Sequence, residues 1–221
     1  IKKGASYFVS SKTKKVNKKK LIKVENTASF LNKFAEMKRI HTNATILGIT
    51  GSVGKTSLKD MLNNLLKNYG NSYASPKSFN NHFGVPLSLA NLNFDDKFGI
   101  FEIGMSKTGE VNKLSKMIKP NLAIITNIGE AHLENFINIQ DIAKAKSEII
   151  ANIQDKGNLI LNRDDKFFQF LQKKTKLKSI KVTTFGKNKK SDIRLIKIKH
   201  NGIDKQITVR LKNKIINLKI K

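Results

Sequence analysis

The run Ile46-Leu47-Gly48-Ile49-Thr50-Gly51-Ser52-Val53-Gly54-Lys55-Thr56-Ser57 constrains this chain more than any other segment. An apolar stretch stops at a glycine-rich turn, and Lys-Thr-Ser then opens an amphipathic segment carrying Leu58, Met61, Leu62, Leu65 and Leu66. The order predicts a strand, a flexible loop and a helix N-terminus, the plan of a phosphate-binding loop. Backbone N–H groups at a helix start point outward without intrahelical partners, and the helix dipole adds positive potential there. Gly51, Ser52, Val53 and Gly54 would wrap a phosphate chain, Lys55 would reach its terminal phosphates, and Thr56, followed by Ser57, could hold Mg²⁺. One spacing departs from the usual pattern. A glycine is expected at position 49, where this chain has Ile49, and its glycines fall at 48, 51 and 54 instead. The alternative is an ordinary strand-to-helix turn; the sequence favours a nucleoside-triphosphate site.

The chain has 221 residues, 39% of them hydrophobic, enough for one sizeable core. It has no cysteine, which excludes disulfides and thiolate metal sites. No apolar run approaches a membrane span and no signal-peptide pattern opens the chain, so a cytoplasmic protein is expected. The formal net charge of +27 would favour polyanions. The lysines, however, spread along most of the chain, are not interleaved with aromatics, and are accompanied by only Arg39, Arg163, Arg194 and Arg210. A solvated basic surface is the plainer reading. A basic ATP-binding nucleic-acid module is the alternative.

From residue 42 the pattern alternates strand and helix, which predicts an α/β fold with a mostly parallel sheet flanked by helices. Strands are expected at 44–49, 99–102, 122–126, 158–161 and 181–185, and helices at 55–68, 109–118, 139–152 and 166–173. An earlier helix is expected from Ala28 to Arg39. Beyond residue 190, Asn201-Gly202 and a turn near Asn213 separate three apolar runs, predicting an appended antiparallel β meander. The chain begins at Ile1 and stops within the last of these strands, so an incomplete domain is expected.

Three further segments could carry chemistry. Phe98-Gly99-Ile100-Phe101-Glu102 is a buried strand ending in a carboxylate, and ligands of parallel α/β sheets collect at strand C-termini. Glu102 would then face the phosphate loop, or merely sit at a strand exit. His132 follows another strand in Thr126-Asn127-Ile128-Gly129-Glu130-Ala131-His132, and a lone histidine is often structural. Lys146 lies in Ala143-Lys144-Ala145-Lys146-Ser147, where a lysine is usually solvated.

Together these pieces resemble the Mur ligases, ATP-dependent amide-bond-forming enzymes of peptidoglycan synthesis. Thr50-Gly51-Ser52-Val53-Gly54-Lys55-Thr56 resembles the phosphate loop of that family, including its shifted glycines. Asn80-Asn81-His82-Phe83-Gly84-Val85-Pro86 is similar to its Asn-Asn-x-x-Gly-x-Pro segment. Glu102-Ile103-Gly104-Met105-Ser106, the Thr126–Glu134 segment, Ala143–Ile149 and Leu161-Asn162-Arg163-Asp164-Asp165 look most like the member that adds D-Ala-D-Ala. The resemblance spans about residues 42 to 190.

The resemblance implies ATP and Mg²⁺ as cofactors and UDP-N-acetylmuramoyl-tripeptide and D-Ala-D-Ala as substrates. Neither nucleic acid nor a membrane span is implied, and the complete protein would be a monomer. Thr56 and Glu102 would hold the nucleotide-linked Mg²⁺, and His132 a second. Lys146 matches a lysine that is carbamylated in several members, and Asn80 and Asn81 would lie on the substrate side. Residues 1–41 would be the end of an N-terminal UDP-sugar-binding domain, and 42–221 most of the central ATPase domain. This piece alone is then expected to be inactive. Ligases adding other residues, cyanophycin synthetase and folylpolyglutamate synthase are the neighbouring alternatives.

Overall fold

The computed structural model describes residues 4–12, 18–131, 135–176, 178–201 and 204–220. Two short parallel strands, β1 (Phe8–Ser10) and β2 (Leu21–Lys23), stand apart from the main sheet. Helix α1 (Thr27–His41) starts at Asn26, whose side chain accepts from Ser29 N. It closes with Lys38, Arg39 and His41 in its last turn, where cations complement the helix dipole. Ala35 of α1 belongs to the main core, and the buried Arg39 guanidinium donates to Ile118 O and Lys119 O.

The chain then alternates through β3 (Thr45–Thr50), α2 (Lys55–Leu66), β4 (Ser72–Ala74), α3 (Gly84–Ala90), β5 (Phe98–Glu102) and α4 (Glu110–Ile118). It continues through β6 (Leu122–Ile125), α5 (Ile139–Ser147), β7 (Asn158–Asn162), α6 (Phe168–Thr175) and β8 (Lys181–Gly186). Three longer strands follow: β9 (Ile193–Asn201), β10 (Asp204–Leu211) and β11 (Lys214–Ile220). Among the described residues they form one nine-stranded sheet in the order β11-β10-β9-β8-β7-β6-β3-β5-β4. Strands β3 to β8 are parallel, while β9, β10 and β11 pair antiparallel, as the sequence predicts for the end of the chain. Residue Gly202 of the expected hairpin turn lies outside the described residues, but Asn201 pairs with Asp204 across it.

The central strands are apolar because both faces are covered. On one face Ile46, Phe101, Ala123, Ile125, Leu159 and Leu161 pack against α1, α3, α4, α5 and α6. On the other, Leu47, Ile49, Ile100 and Ile124 meet Leu58, Leu62 and Leu66 of α2. Alternation along β3 therefore splits its side chains between two cores. The connections run outward from β3 first to one side (β4, β5) and then to the other (β6, β7, β8). That reversal makes the carboxyl ends of β3, β5 and β6 a topological switch point, where ligands bind in open α/β sheets.

Besides the unexpected strands β1 and β2, the structure departs from the expected elements in two places. The helix expected over 139–152 is α-helical only to Ser147 and tightens to a 3-10 turn over Glu148–Asn152. Ser147 Oγ bonds back to Lys144 O, and Glu148 faces away to accept from Gly109 N and Asn112 N. The segment 70–90 contains β4 and α3, which the sequence reading did not assign. Pro86 stands in the first turn of α3, where its missing N–H costs no helix bond.

Candidate nucleotide and metal site

The loop after β3 is shaped by Gly51, whose φ of +145° suits glycine. A Cβ at Gly51 would also collide with Thr126 Oγ1, so β6 closes the loop from one side. Thr126 Oγ1 donates to Val53 O at 2.7 Å, Val53 N donates to Asn127 Oδ1 at 3.1 Å, and Ser52 N donates to Asn127 O at 3.0 Å. Ser52 Oγ donates to Gly129 O and accepts from Gly129 N. The loop is thus pre-organised by its neighbour before any ligand arrives. Gly54 is the N-cap of α2, and Leu58 N to Gly54 O is the first i→i−4 bond of that helix. The preceding N–H groups of its first turn have no intrahelical partner, as an anion site requires. Val53 and Ser57 are exposed beside it.

Lys55 folds back on the loop, donating from Nζ to Gly51 O at 2.8 Å and to Ser52 O at 3.2 Å. Burial lowers its pKa, and the nearby charge of Glu102 opposes that shift. Thr56 Oγ1 donates to Glu102 Oε2 at 2.7 Å, and Asn80 Nδ2 donates to Glu102 Oε1 at 2.7 Å. Glu102 is 1% exposed, so both carboxylate oxygens are fixed by neighbours rather than by water. Glu102 therefore faces the helix after the phosphate loop rather than standing free at the strand exit.

A cavity of about 300 Å³ opens here, lined by Lys55, Asn80, Asn81, His82, Met105 and Lys146 among others. Lys146 comes from α5, beside the core residues Ile142, Ala143 and Ala145. It is 2% exposed, contrary to a solvated lysine. Burial and the charge of Lys55 lower its pKa to about 7. Asn81 turns inward locally, its Oδ1 accepting from Phe83 N and Gly84 N, which sets the start of α3. The structure therefore brings Lys55, Thr56, Glu102, Asn80 and Lys146 to one rim. His132 lies outside the described residues.

The oxygen donors of Thr56 and Glu102 fit Mg²⁺, which takes few protein ligands and completes its shell with phosphates and water. Among the described residues no group of three or more His, Cys, Asp and Glu is gathered, as a dedicated all-protein metal cage would need. The clamp from Thr126, Asn127 and Gly129 was not identified as part of the site from sequence. Its signal was a Thr-Asn pair following a strand. Asp165 extends the clamp, its Oδ2 accepting from Ile128 N at 2.7 Å.

Residues 49–221 match the Mur ligase middle domain family. The chain is 38% identical, over 224 residues, to the UDP-N-acetylmuramoyl-tripeptide–D-alanyl-D-alanine ligase of Rickettsia prowazekii, covering 100% of this chain and 49% of that protein. The ligase of the same name from Bacillus subtilis is 30% identical over 190 residues, 86% of this chain and 40% of that protein. The chain spans at most about half the length of these curated relatives. Among solved structures, MurF from Acinetobacter baumannii superposes with a TM-score of 0.85 at 25% identity, covering 96% of this chain and 46% of that one. MurF ligase from Thermotoga maritima in complex with ADP gives 0.83 at 28% identity, covering 99% and 50%.

Proposed function

The chain belongs to the Mur ligase family, and from that premise we propose that it carries the ATP-handling site of a ligase joining D-Ala-D-Ala to UDP-N-acetylmuramoyl-tripeptide. The observation that carries the reading is the grip of Thr56 and Asn80 on Glu102 beside the loop lysine, at the switch point of the sheet. The similarity to a relative in complex with ADP supports it.

In this reading Lys55 exchanges its two loop carbonyls for the terminal phosphates of ATP. Phosphoryl transfer is governed by alignment and charge neutralisation, which a pre-organised loop and a buried cation supply. Thr56 and Glu102 would hold Mg²⁺, with His132 assigned to a second ion by family resemblance; bound Mg²⁺ would neutralise charge on the phosphates. The γ-phosphoryl passes to the tripeptide carboxylate, giving an acyl phosphate and ADP. The amine of D-Ala-D-Ala then attacks that carbonyl and phosphate leaves. Lys146, partly neutral near pH 7, is nucleophilic toward CO₂; the amine gains a carboxylate and loses a proton, becoming an anionic oxygen ligand. Asn80 and Asn81, which line the cavity, are assigned to the substrate side by family resemblance.

The test is product formation by the gene product carrying this chain. UDP-N-acetylmuramoyl-tripeptide, ATP and D-Ala-D-Ala together should yield the pentapeptide product and ADP, with single amino acids failing to replace D-Ala-D-Ala. Turnover with a folate or a single amino acid instead would overturn the substrate assignment.

A further inference from the structure

Lys59 is 1% exposed, and no step above uses it. It stands on α2 three residues after Thr56, so the two side chains leave the same face of the helix. Its Nζ donates to Ser75 O at 2.8 Å and to Lys77 O at 2.6 Å, and pairs with Asp60 Oδ1 at 3.2 Å. Three acceptors match the three N–H bonds of an ammonium, which otherwise is costly to bury. Helix packing alone would be served by an apolar side chain. What the ammonium adds is a hold on two carbonyls of the segment after β4.

That segment leads directly to the carboxylate. Lys77 is held at a φ of +46°, a left-handed conformation that side chains rarely adopt. Ser75 Oγ accepts from Glu102 N at 3.3 Å, and Asn80 O accepts from Gly104 N at 2.8 Å. A Cβ on Gly104 would lie 2.8 Å from Asn80 Cγ, so the end of β5 presses against the asparagine side chain. Asn80 Nδ2 then meets Glu102 Oε1. Helix α2 thus holds Glu102 by two routes: directly through Thr56, and through Lys59, residues 75–77 and Asn80.

We propose that Lys59 is a positioning residue that ties the phosphate-loop helix to the 75–80 segment and so sets Asn80 against Glu102, fixing the carboxylate for a Mg²⁺-bound nucleotide. The proposal rests on the reading of Thr56 and Glu102 as the Mg²⁺–nucleotide site. It makes the nucleotide helix and the Asn80–Asn81 wall of the cavity one mechanical unit.

The experiment titrates ADP into this chain by calorimetry, with and without Mg²⁺, for the wild type, Lys59→Met and Asn80→Ala, alongside circular dichroism melts. The wild type should bind ADP more tightly with Mg²⁺. Lys59→Met should keep its metal-free affinity while its gain from Mg²⁺ falls about tenfold, the scale for losing a partner that orients a metal ligand. Asn80→Ala should reproduce that loss. A merely structural lysine would lower the melting temperature and leave the gain intact, so a folded Lys59→Met with the wild-type gain overturns the proposal. Should Lys59→Met fail to fold, Asn80→Ala decides: loss of the gain supports the route, and an unchanged gain overturns it. A wild type that gains nothing from Mg²⁺ overturns the underlying site assignment instead, which separates the two failures.

Discussion

Thr56 Oγ1 and Glu102 Oε2 lie 2.7 Å apart, joining the first turn of the helix after the phosphate loop to the last residue of the adjacent parallel strand. The contact links residues 46 positions apart in sequence and holds a buried carboxylate at the rim. Thr56→Val keeps the side-chain shape and removes the hydroxyl. Mn²⁺ binding in the presence of ADP, followed by electron paramagnetic resonance, should weaken roughly tenfold, with metal-free ADP binding little changed. Unaltered Mn²⁺ affinity would remove Thr56 from the metal site.

Gly51→Ala tests the closure of the loop by β6. The substitution meets both an unfavourable φ and the Thr126 side chain. Urea denaturation should show a loss of about 2–3 kcal/mol, with nucleotide binding impaired as the loop shifts. A neutral effect would mean that the loop is not held against Thr126.

Lys146 makes stability depend on pH in a defined direction. Its amine titrates near 7 in the folded chain against 10.5 for an ordinary lysine, so the unfolded chain binds more protons between those values. The group's penalty is therefore full below about pH 7, shrinks as pH rises, and is gone above about 10.5. Lys146→Met should stabilise the chain by up to about 4–5 kcal/mol at the acid end of that window, with the gain fading toward its alkaline end. Denaturant melts across the window test the sign. In ¹³C-bicarbonate, the wild type should show a carbamate carbon resonance that Lys146→Met lacks.

Asp165 supports the clamp from behind, taking Ile128 N with one oxygen and Phe167 N with the other. Asp165→Ala should cost about 1–2 kcal/mol through the unpaired amides. It should also weaken ADP binding several-fold, because the Thr126–Gly129 segment that shapes the loop loses its anchor. Calorimetry distinguishes this from a purely local effect, in which affinity would hold.

Much of this arrangement was legible in the residues themselves. Ile46 to Ser57 carries apolar strand, glycine turn and helix start in one uninterrupted run, and Glu102 closes a strand whose period and burial are plain. Lys146 was harder, since a lysine between Ala145 and Ser147 on a helix reads as solvated until α5 is seen to turn that face toward the cavity. Lys59 depends on partners many residues away, so no local pattern announces it, and the Thr126–Gly129 clamp shows locally only a Thr-Asn pair after a strand. The short β4 and α3 escaped because their few residues and Pro86 give neither period room to develop.

Lys55 and the loop it folds onto are proposed as the nucleotide site. Calorimetric titration of Mg²⁺-ATP into this chain and into Lys55→Ala tests it most directly, with circular dichroism confirming that both are folded. The wild type is expected to bind, and Lys55→Ala to lose at least about tenfold in affinity, because the variant removes the cation that replaces Gly51 O and Ser52 O with the terminal phosphates. A folded Lys55→Ala that binds Mg²⁺-ATP as tightly as the wild type would contradict the account.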